Sequence, residues 1–503
     1  MNKHIIAAGD KTTVETAHEL LWVGGNAFDA AVGAMFTAMV SEPALTSAGG
    51  GGHFMADPES GTPILFDFFV DMPSGELERV NIDFFSIDID FGDSTQEFHI
   101  GKGAVAVPGT VAGLLHVQKS LGCLSLMEVL KPAIREAKEG VVLSDVQAYM
   151  LTILEPIMMH EENSRKIYAP EGKLLGEGET IIMPEFSDFL DALAHEGQDL
   201  MYKGEVAKLL VEWSREGGLL TMEDLKNYSV VEREPLETKF YDYSVYLNPP
   251  PALSGILIDA TLSLLSRCKK GITLAEIVQA LDITNILRME TLAGSLDKGV
   301  KYLSKQAFFK KYVETFAKRS PKSHSRGATT HISILDKNGN AASVTTTNGE
   351  GCGSVLSHVG FMPNNMLGEE DLNPEGFHMN PPRTRLASMM SPTIVVKEKR
   401  PVLLTGSAGS NRIRSVIVQL IIHVLCEEMD IELATKHPRV HIEGDVLHAE
   451  PGLGEDVLSS FEQEYQINRW ERQNVFFGGA NSVTHEKGAG DERRGGYSVI
   501  IED

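Results

Sequence analysis

The chain has 503 residues, 42% hydrophobic and 23% charged, with a mean hydropathy of −0.08; this excludes wholesale disorder, a collagen-like repeat and a membrane bundle, and allows three domains or one large unit. Its 45 Lys and Arg against 70 Asp and Glu leave a formal charge of −25, a field that repels phosphodiesters and acidic membrane surfaces, so neither nucleic acid nor membrane is expected as a partner. Cys123, Cys268, Cys352 and Cys426 are widely separated and form no CxxC pair, so buried free thiols are expected rather than a zinc knuckle or a disulfide scaffold.

The N-terminus carries Lys3 and a very short apolar run before Gly9 and Asp10, too little for a signal peptide, and a cytoplasmic location is expected. A helix is expected over 13–23. In GGNAFDAAVGAMFTAMV, Asn26 or a neighbour caps a second helix from Ala27 to Val40, whose small residues suit packing on a sheet. In SAGGGGHFM, Gly49 to Gly52 admit close approach of another segment or a ligand; no GK[ST] follows, so a structural turn is preferred over a phosphate cradle. Ile87, Ile89 and Phe91 alternate with Asp88, Asp90 and Gly92, the pattern of a half-buried strand with an acidic outer face. That alternation accounts for the charges without a metal at Asp88, Asp90 and Asp93.

From about Leu114 to Leu292 helical periodicity dominates and reads as scaffold, punctuated by GGLLTMEDLKNY and NPPPALSG. His160, His437, His441 and His448 show no ligand spacing such as HExxH, so no metal and no cofactor are expected. The stretch from Lys298 to Arg326 is locally basic and, after Ala317, polar with Pro321 and Gly327, which predicts an exposed, mobile loop.

That loop leads into TTHISILDKNGNAASVTTTNG, two alternating runs flanking a turn, the signature of a β-hairpin. A two-residue Asn338-Gly339 turn would pair Lys337 with Asn340. A three-residue turn with Gly339 left-handed would pair Asp336 with Asn340, and only this register groups Ile332, Val344, Ile334 and Ala342 on one face. It sets Thr329 opposite Thr347. A hydroxyl pair at the start of a strand after a mobile loop suits a self-cleaving N-terminal nucleophile enzyme: a Thr attacks the preceding carbonyl, and the freed α-amine then serves as general base. An ordinary Thr-rich strand is the alternative that the hairpin alone leaves open.

The whole chain resembles the γ-glutamyltranspeptidase family of the N-terminal nucleophile hydrolase superfamily. The matches run in order: GGNAFDAA, EPALTSAGGGGHFM, AVPGTVAGL, GGLLTMEDLKNYSVVEREPL, PPPALSG, TTHISILDKNGNAASVT, MSPTIV, GSAGSNRI and GDERRGG. The resemblance implies an α+β, four-layer αββα sandwich, translated as one chain and cut between Ala328 and Thr329. Residues 1–328 would form a large subunit and 329–503 a small one, intertwined, with a homodimer of the pair possible. It implies Thr329 as nucleophile, Thr347 as its hydrogen-bonding support, and the backbone N–H groups of Gly409 and Ser410 as oxyanion donors.

For substrate binding the resemblance points to Asn348, Glu369 and Glu370 toward an amine, and to Ser388 toward a carboxylate, although the second Ser of the family's pair is Met389 here. Phe69 occupies the family's usual arginine position, and Arg383, Arg385 and Arg412 are the candidate replacement cations. The expected partners are a small-molecule amide and an amine or water acceptor, with γ-glutamyl, glutathione-like amides leading. An acylase for another acyl amide and a noncatalytic, uncleaved relative are the alternatives. TGSAG at Thr405 to Gly409 fails the GxSxG pattern of an ordinary serine hydrolase.

Overall fold

The hairpin around Gly339 lies at the centre of a seven-stranded antiparallel sheet. The computed structural model describes residues 3–76, 78–90, 95–268, 271–292, 328–373 and 376–502. In spatial order the sheet runs Tyr497–Glu502, Lys3–Ala8, Thr330–Leu335, Ala341–Thr347, Gly51–Asp57, Ile64–Phe68 and Val231–Arg233. A second antiparallel sheet of six strands runs Gly488–Ala489, Ser482–Thr484, Arg400–Thr405, Thr393–Lys397, Tyr243–Leu247 and Leu236–Phe240. Ile5, Met55, Leu65 and Leu335 from the first sheet meet Ile394, Leu404 and Val483 from the second in one buried layer.

Helices close the outer faces. Lys11–Trp22, Ala27–Ser41 and Thr110–Leu121 cover the first sheet, where Ile332, Ile334, Ala342 and Val344 share their apolar core. Leu253–Leu265 and Arg412–Leu425 cover the second, against Val245, Val395 and Leu403. The expected αββα sandwich therefore forms, with strands from both sides of the Ala328–Thr329 bond in each sheet: interleaved in the first, side by side in the second.

Helix Ala27–Ser41 shows how local sequence sets this geometry. Asn26 Oδ1 accepts from the N–H groups of Phe28 and Asp29 while the Asp29 carboxylate accepts from Asn26 N–H, a reciprocal cap. Every residue along the helix is buried, as its Ala-rich surface permits between a sheet and neighbouring helices. The hairpin register is the three-residue-turn form: Ile332 faces Val344, Ile334 faces Ala342, and Gly339 has φ +100°. Asp336 N–H donates to Asn340 C=O at 3.0 Å.

Several expectations need correction. The stretch after Leu114 is not all helix, because Val231–Arg233, Leu236–Phe240 and Tyr243–Leu247 are strands of the two sheets; VEREPLETKFYDYSVYL carries a period-two pattern that the flanking helices mask. Of the thiols only Cys352 is buried, while Cys123 is exposed and Cys268 and Cys426 lie between; all are free. The acidic strand is Phe85–Asp90, paired with Thr95–Ile100, and Asp88 is exposed; Asp93 and the basic stretch 298–326 lie outside the described residues.

Candidate active site

Ala328, Thr329 and Thr347 are 3%, 4% and 8% exposed, so the peptide bond between Ala328 and Thr329 lies inside the protein. The Thr347 hydroxyl donates to the Ala328 carbonyl, and the Gly349 N–H donates to Thr347 Oγ1 at 3.0 Å. The carbonyl that Thr329 would attack thus faces a donor whose own oxygen is polarised from behind. Close packing holds Thr347 in place: a Cβ on Gly50 would stand 2.2 Å from the Thr347 carbonyl oxygen. Gly50 C=O in turn accepts from Gly109 and Thr110, so the glycine run serves close approach of chain segments.

Between the sheets, the hairpin face that carries Thr329 and Thr347 is polar. His331 contacts Thr345 Oγ1 at 2.8 Å and Ser333 Oγ at 2.9 Å. Ser333 Oγ donates to Asn481 C=O, and Asn481 Nδ2 donates back to His331 C=O, both at 2.9 Å. Burial pushes His331 down to about 3, so it is a neutral spacer near pH 7. Gly406 lies flush on its ring, since a Cβ there would approach to 2.4 Å. This seats the loop that continues to Gly409 and Ser410, with φ of +107° and +48°, before helix Arg412–Leu425. N–H groups at such a terminus are suited to developing negative charge.

Ala328, Glu350 and Gly409 border one pocket. Arg412 and Arg494 line it as well, and Tyr149, Met150, Ile153, Leu154, Val475 and Phe476 give it an apolar wall. Burial raises the Glu350 carboxyl to about 8, opposed by hydrogen bonds from Asn365 and the Ala328 backbone; near pH 7 it is largely protonated. Glu369 is held well above the usual carboxylate range by burial and by the charges of Glu350 and Asp371. Asp371 accepts from Ser410 Oγ and Asn411 Nδ2, each at 3.1 Å, tying the acidic cluster to the helix start.

Asn348 spends its amide N–H on Met362 C=O at 3.1 Å, while its buried Oδ1 has no partner among the described residues; Asn348 does not line the pocket. Glu370 is exposed. Ser388 is buried and its hydroxyl accepts from Met390 N–H at 3.0 Å; it does not line the pocket. Phe69 is a core residue instead of a pocket wall: 1% exposed, stacked on His53 at 5.9 Å and packed among Val70, Met72 and Leu386. Arg385 is engaged by Asp67 at 2.7 Å and Asp71 at 2.6 Å, and Arg383 is half exposed beside Asp224. Of the three candidate cations, Arg412 alone reaches the pocket.

Sequence reasoning did not single out Glu350, Arg494 or the wall from Tyr149 to Leu154. Glu350 lies three residues past Thr347, and Arg494 lies within the GDERRGG match, so both were within reach. The wall carries only an ordinary helical pattern.

The family model described as Gamma-glutamyltranspeptidase matches residues 13–500. The chain is 31% identical to the glutathione hydrolase proenzyme of Escherichia coli (strain K12), covering 92% of this chain and 85% of that protein. It is 28% identical to the Acylase ACY 1 proenzyme of Pseudomonas sp. (strain V22), over 90% and 86% of the two chains. Among solved structures, cephalosporin acylase from Bacillus halodurans shares the fold with a TM-score of 0.85 at 19% identity, over 99% of this chain and 96% of that one. The chain therefore belongs to the γ-glutamyltranspeptidase family and is an enzyme with hydrolase or transferase activity.

Proposed function

We propose that this enzyme cuts its own chain before Thr329 and then uses that residue as an N-terminal nucleophile on γ-glutamyl or related acyl amides. The observation that carries the reading is the hydrogen bond from the Thr347 hydroxyl to the Ala328 carbonyl. In maturation, Thr329 Oγ adds to the Ala328 carbonyl carbon, and the oxyanion keeps the Thr347 donor. The hydroxyl proton passes to the Thr329 nitrogen as the C–N bond breaks, leaving an ester. Water then hydrolyses the ester, freeing the Ala328 carboxylate and the Thr329 α-amine.

In turnover that amine, with an ordinary pKa of about 7.7 to 8.0, accepts the Oγ proton as Oγ attacks the substrate carbonyl. N–H groups of Gly409 and Ser410 take the oxyanion. The leaving amine departs with the proton, and water or a second amine accepts the acyl group. Names among the relatives support both glutathione and acylase chemistry. The buried Phe69 and the apolar pocket wall favour an acyl group other than unmodified γ-glutamyl as the second reading.

The test is a denaturing gel with intact mass of the purified protein. Fragments ending at Ala328 and beginning at Thr329 are expected, and Thr329→Ala should stay full-length. A single chain in the parent would favour a noncatalytic relative, and normal processing of Thr329→Ala would end the mechanism.

A further inference from the structure

The strand that follows Thr329 has a second face, turned toward the helices. Thr330 precedes Ile332 and Ile334 by two and four residues, so its side chain points with theirs into the helix-covered layer and away from that of Thr329. From Ile332 onward this face is apolar, but its start is polar and buried. Thr330 Oγ1 donates to Glu42 Oε2 at 2.7 Å, and Thr346, opposite Thr330 in the hairpin, shares a hydrogen bond with Thr46 at 2.7 Å. Glu42 is 0% exposed and Thr330 2%. The same carboxyl accepts from Thr13 Oγ1 at 3.4 Å, and Thr13 meets Ser41 at 3.0 Å.

The carboxyl has little room to move. A Cβ on Gly9 would stand 2.2 Å from Glu42 Oε2 and 2.9 Å from Thr330 Oγ1, so the chain passes flush over the pair. Glu42 ends helix Ala27–Ser41, its N–H donating to Ala38 C=O at 2.7 Å and its C=O accepting from Leu45 N–H at 2.9 Å. A carboxyl in such a layer is unfavourable unless hydrogen-bonded, and burial lifts this one to about 8. Its shortest hydrogen bond goes to the residue next to Thr329.

Scission changes what holds Thr329. Before it, the residue is tied to the chain on both sides. Afterwards it is the first residue of its chain, and the strand pairing begins one position later, at Thr330 opposite Thr346. First residues fray unless tied down. Glu42 lies before the cut and Thr330 after it, so their hydrogen bond joins the two products.

We infer that Glu42 is a positioning residue for the mature nucleophile: by holding the Thr330 hydroxyl it keeps the new N-terminus, amine and Oγ1 together, in attacking geometry. This rests on the proposed function. It separates the two reactions of the site, because maturation, with Ala328 still tethering Thr329, needs the Glu42–Thr330 bond less than turnover does.

The test follows Thr330→Val, Thr330→Ser and Glu42→Leu through maturation on denaturing gels, then assays the matured fraction with γ-glutamyl 4-nitroanilide or, where the parent turns it over faster, a straight-chain acyl 4-nitroanilide. A misplacement of about 1 Å can cost about a hundredfold in rate, so matured Thr330→Val should lose about tenfold or more in kcat, with KM within about twofold of the parent. It should mature within about threefold of the parental rate, and Thr330→Ser, which keeps the hydroxyl, should be rescued to within about threefold in kcat. Periodate, which oxidises the amino alcohol of an N-terminal threonine, should modify Thr329 faster in matured Thr330→Val than in the parent. Glu42→Leu should match Thr330→Val, and the double variant should be no worse than either; if Glu42→Leu does not fold, Thr330→Val decides alone.

A parent that stays one chain ends the proposed function and this inference with it. A parent that is cut, while Thr330→Val keeps the parental kcat and periodate rate, overturns this inference alone. A kcat loss that Thr330→Ser does not restore, or a maturation defect as large as the turnover defect, overturns it as well, because Thr330 would then be structural.

Discussion

Replacing Thr347 by Val keeps the β-branched shape of a strand residue and deletes one hydroxyl. In the resting chain this strips a donor from the Ala328 carbonyl and an acceptor from the Gly349 N–H; each buried group left unsatisfied costs about 1–3 kcal/mol. The larger effect falls on the rate. When Thr329 Oγ adds to Ala328, the carbonyl oxygen acquires the charge that the Thr347 hydroxyl faces, and losing one such donor raises a barrier by about 2.7–4 kcal/mol, or about 10²–10³ in rate. Freshly purified precursor, sampled over time on denaturing gels, should therefore mature some hundredfold or more slowly as Thr347→Val. Thr347→Ser, which keeps the oxygen, should stay within about tenfold of the parent. Maturation of the Val variant within about twofold of the parent would refute the assignment of this hydrogen bond to the maturing oxyanion.

Burial lifts Glu42 and Glu350 to about 8, so the folded chain holds protons that the unfolded chain releases near pH 4.3; their stabilisation is complete below that value and fades as pH rises to about 8. His53 and His331, lowered to about 4 and about 3, work the other way, costing stability as pH falls below about 6.5. Of these four groups only the carboxyls still titrate above pH 6.5, so the thermal midpoint should drop between pH 6.5 and 8, and Glu42→Gln should flatten that drop; an unchanged slope would contradict it. Phe69→Arg places a cation in a core site 1% exposed, against His53, and should cost on the order of 3–5 kcal/mol with no gain on carboxylate-bearing substrates; a stable variant with improved kcat/KM would return position 69 to the substrate pocket.

The hairpin was legible because its two faces differ: only one register gathers Ile332, Ile334, Ala342 and Val344, and the observed pairs are those. Asn26 was legible as a cap for the same local reason, a side-chain acceptor before an apolar run. Phe69 was not. A motif position tells where a residue sits along the chain, whereas His53, stacked on the ring, and Leu386, in the same buried cluster, come from segments distant in sequence. The pocket likewise joins residues near 150, 350, 410 and 494, and no periodicity within one segment reports on such a meeting.

The polar layer between the sheets bears on timing. His331 and Ser333 complete their hydrogen bonds through Asn481, and the loop seated on His331 is anchored where Ser407–Ala408 pairs with Gly479–Ala480. The strand before Thr330 in the sheet, Lys3–Ala8, is flanked on its other side by Tyr497–Glu502. Synthesis as far as residue 347 therefore yields a hairpin with an exposed polar face, and the assembly closes only once residues 479–480 and 497–502 are in place. Long-range pairings of this kind form late. Under the proposed self-cleavage the topology works as a clock: scission waits until Gly479–Ala480 and Tyr497–Glu502 have joined their sheets. A chain shortened to end before Gly479 should remain uncut even with Thr329 and Thr347 intact.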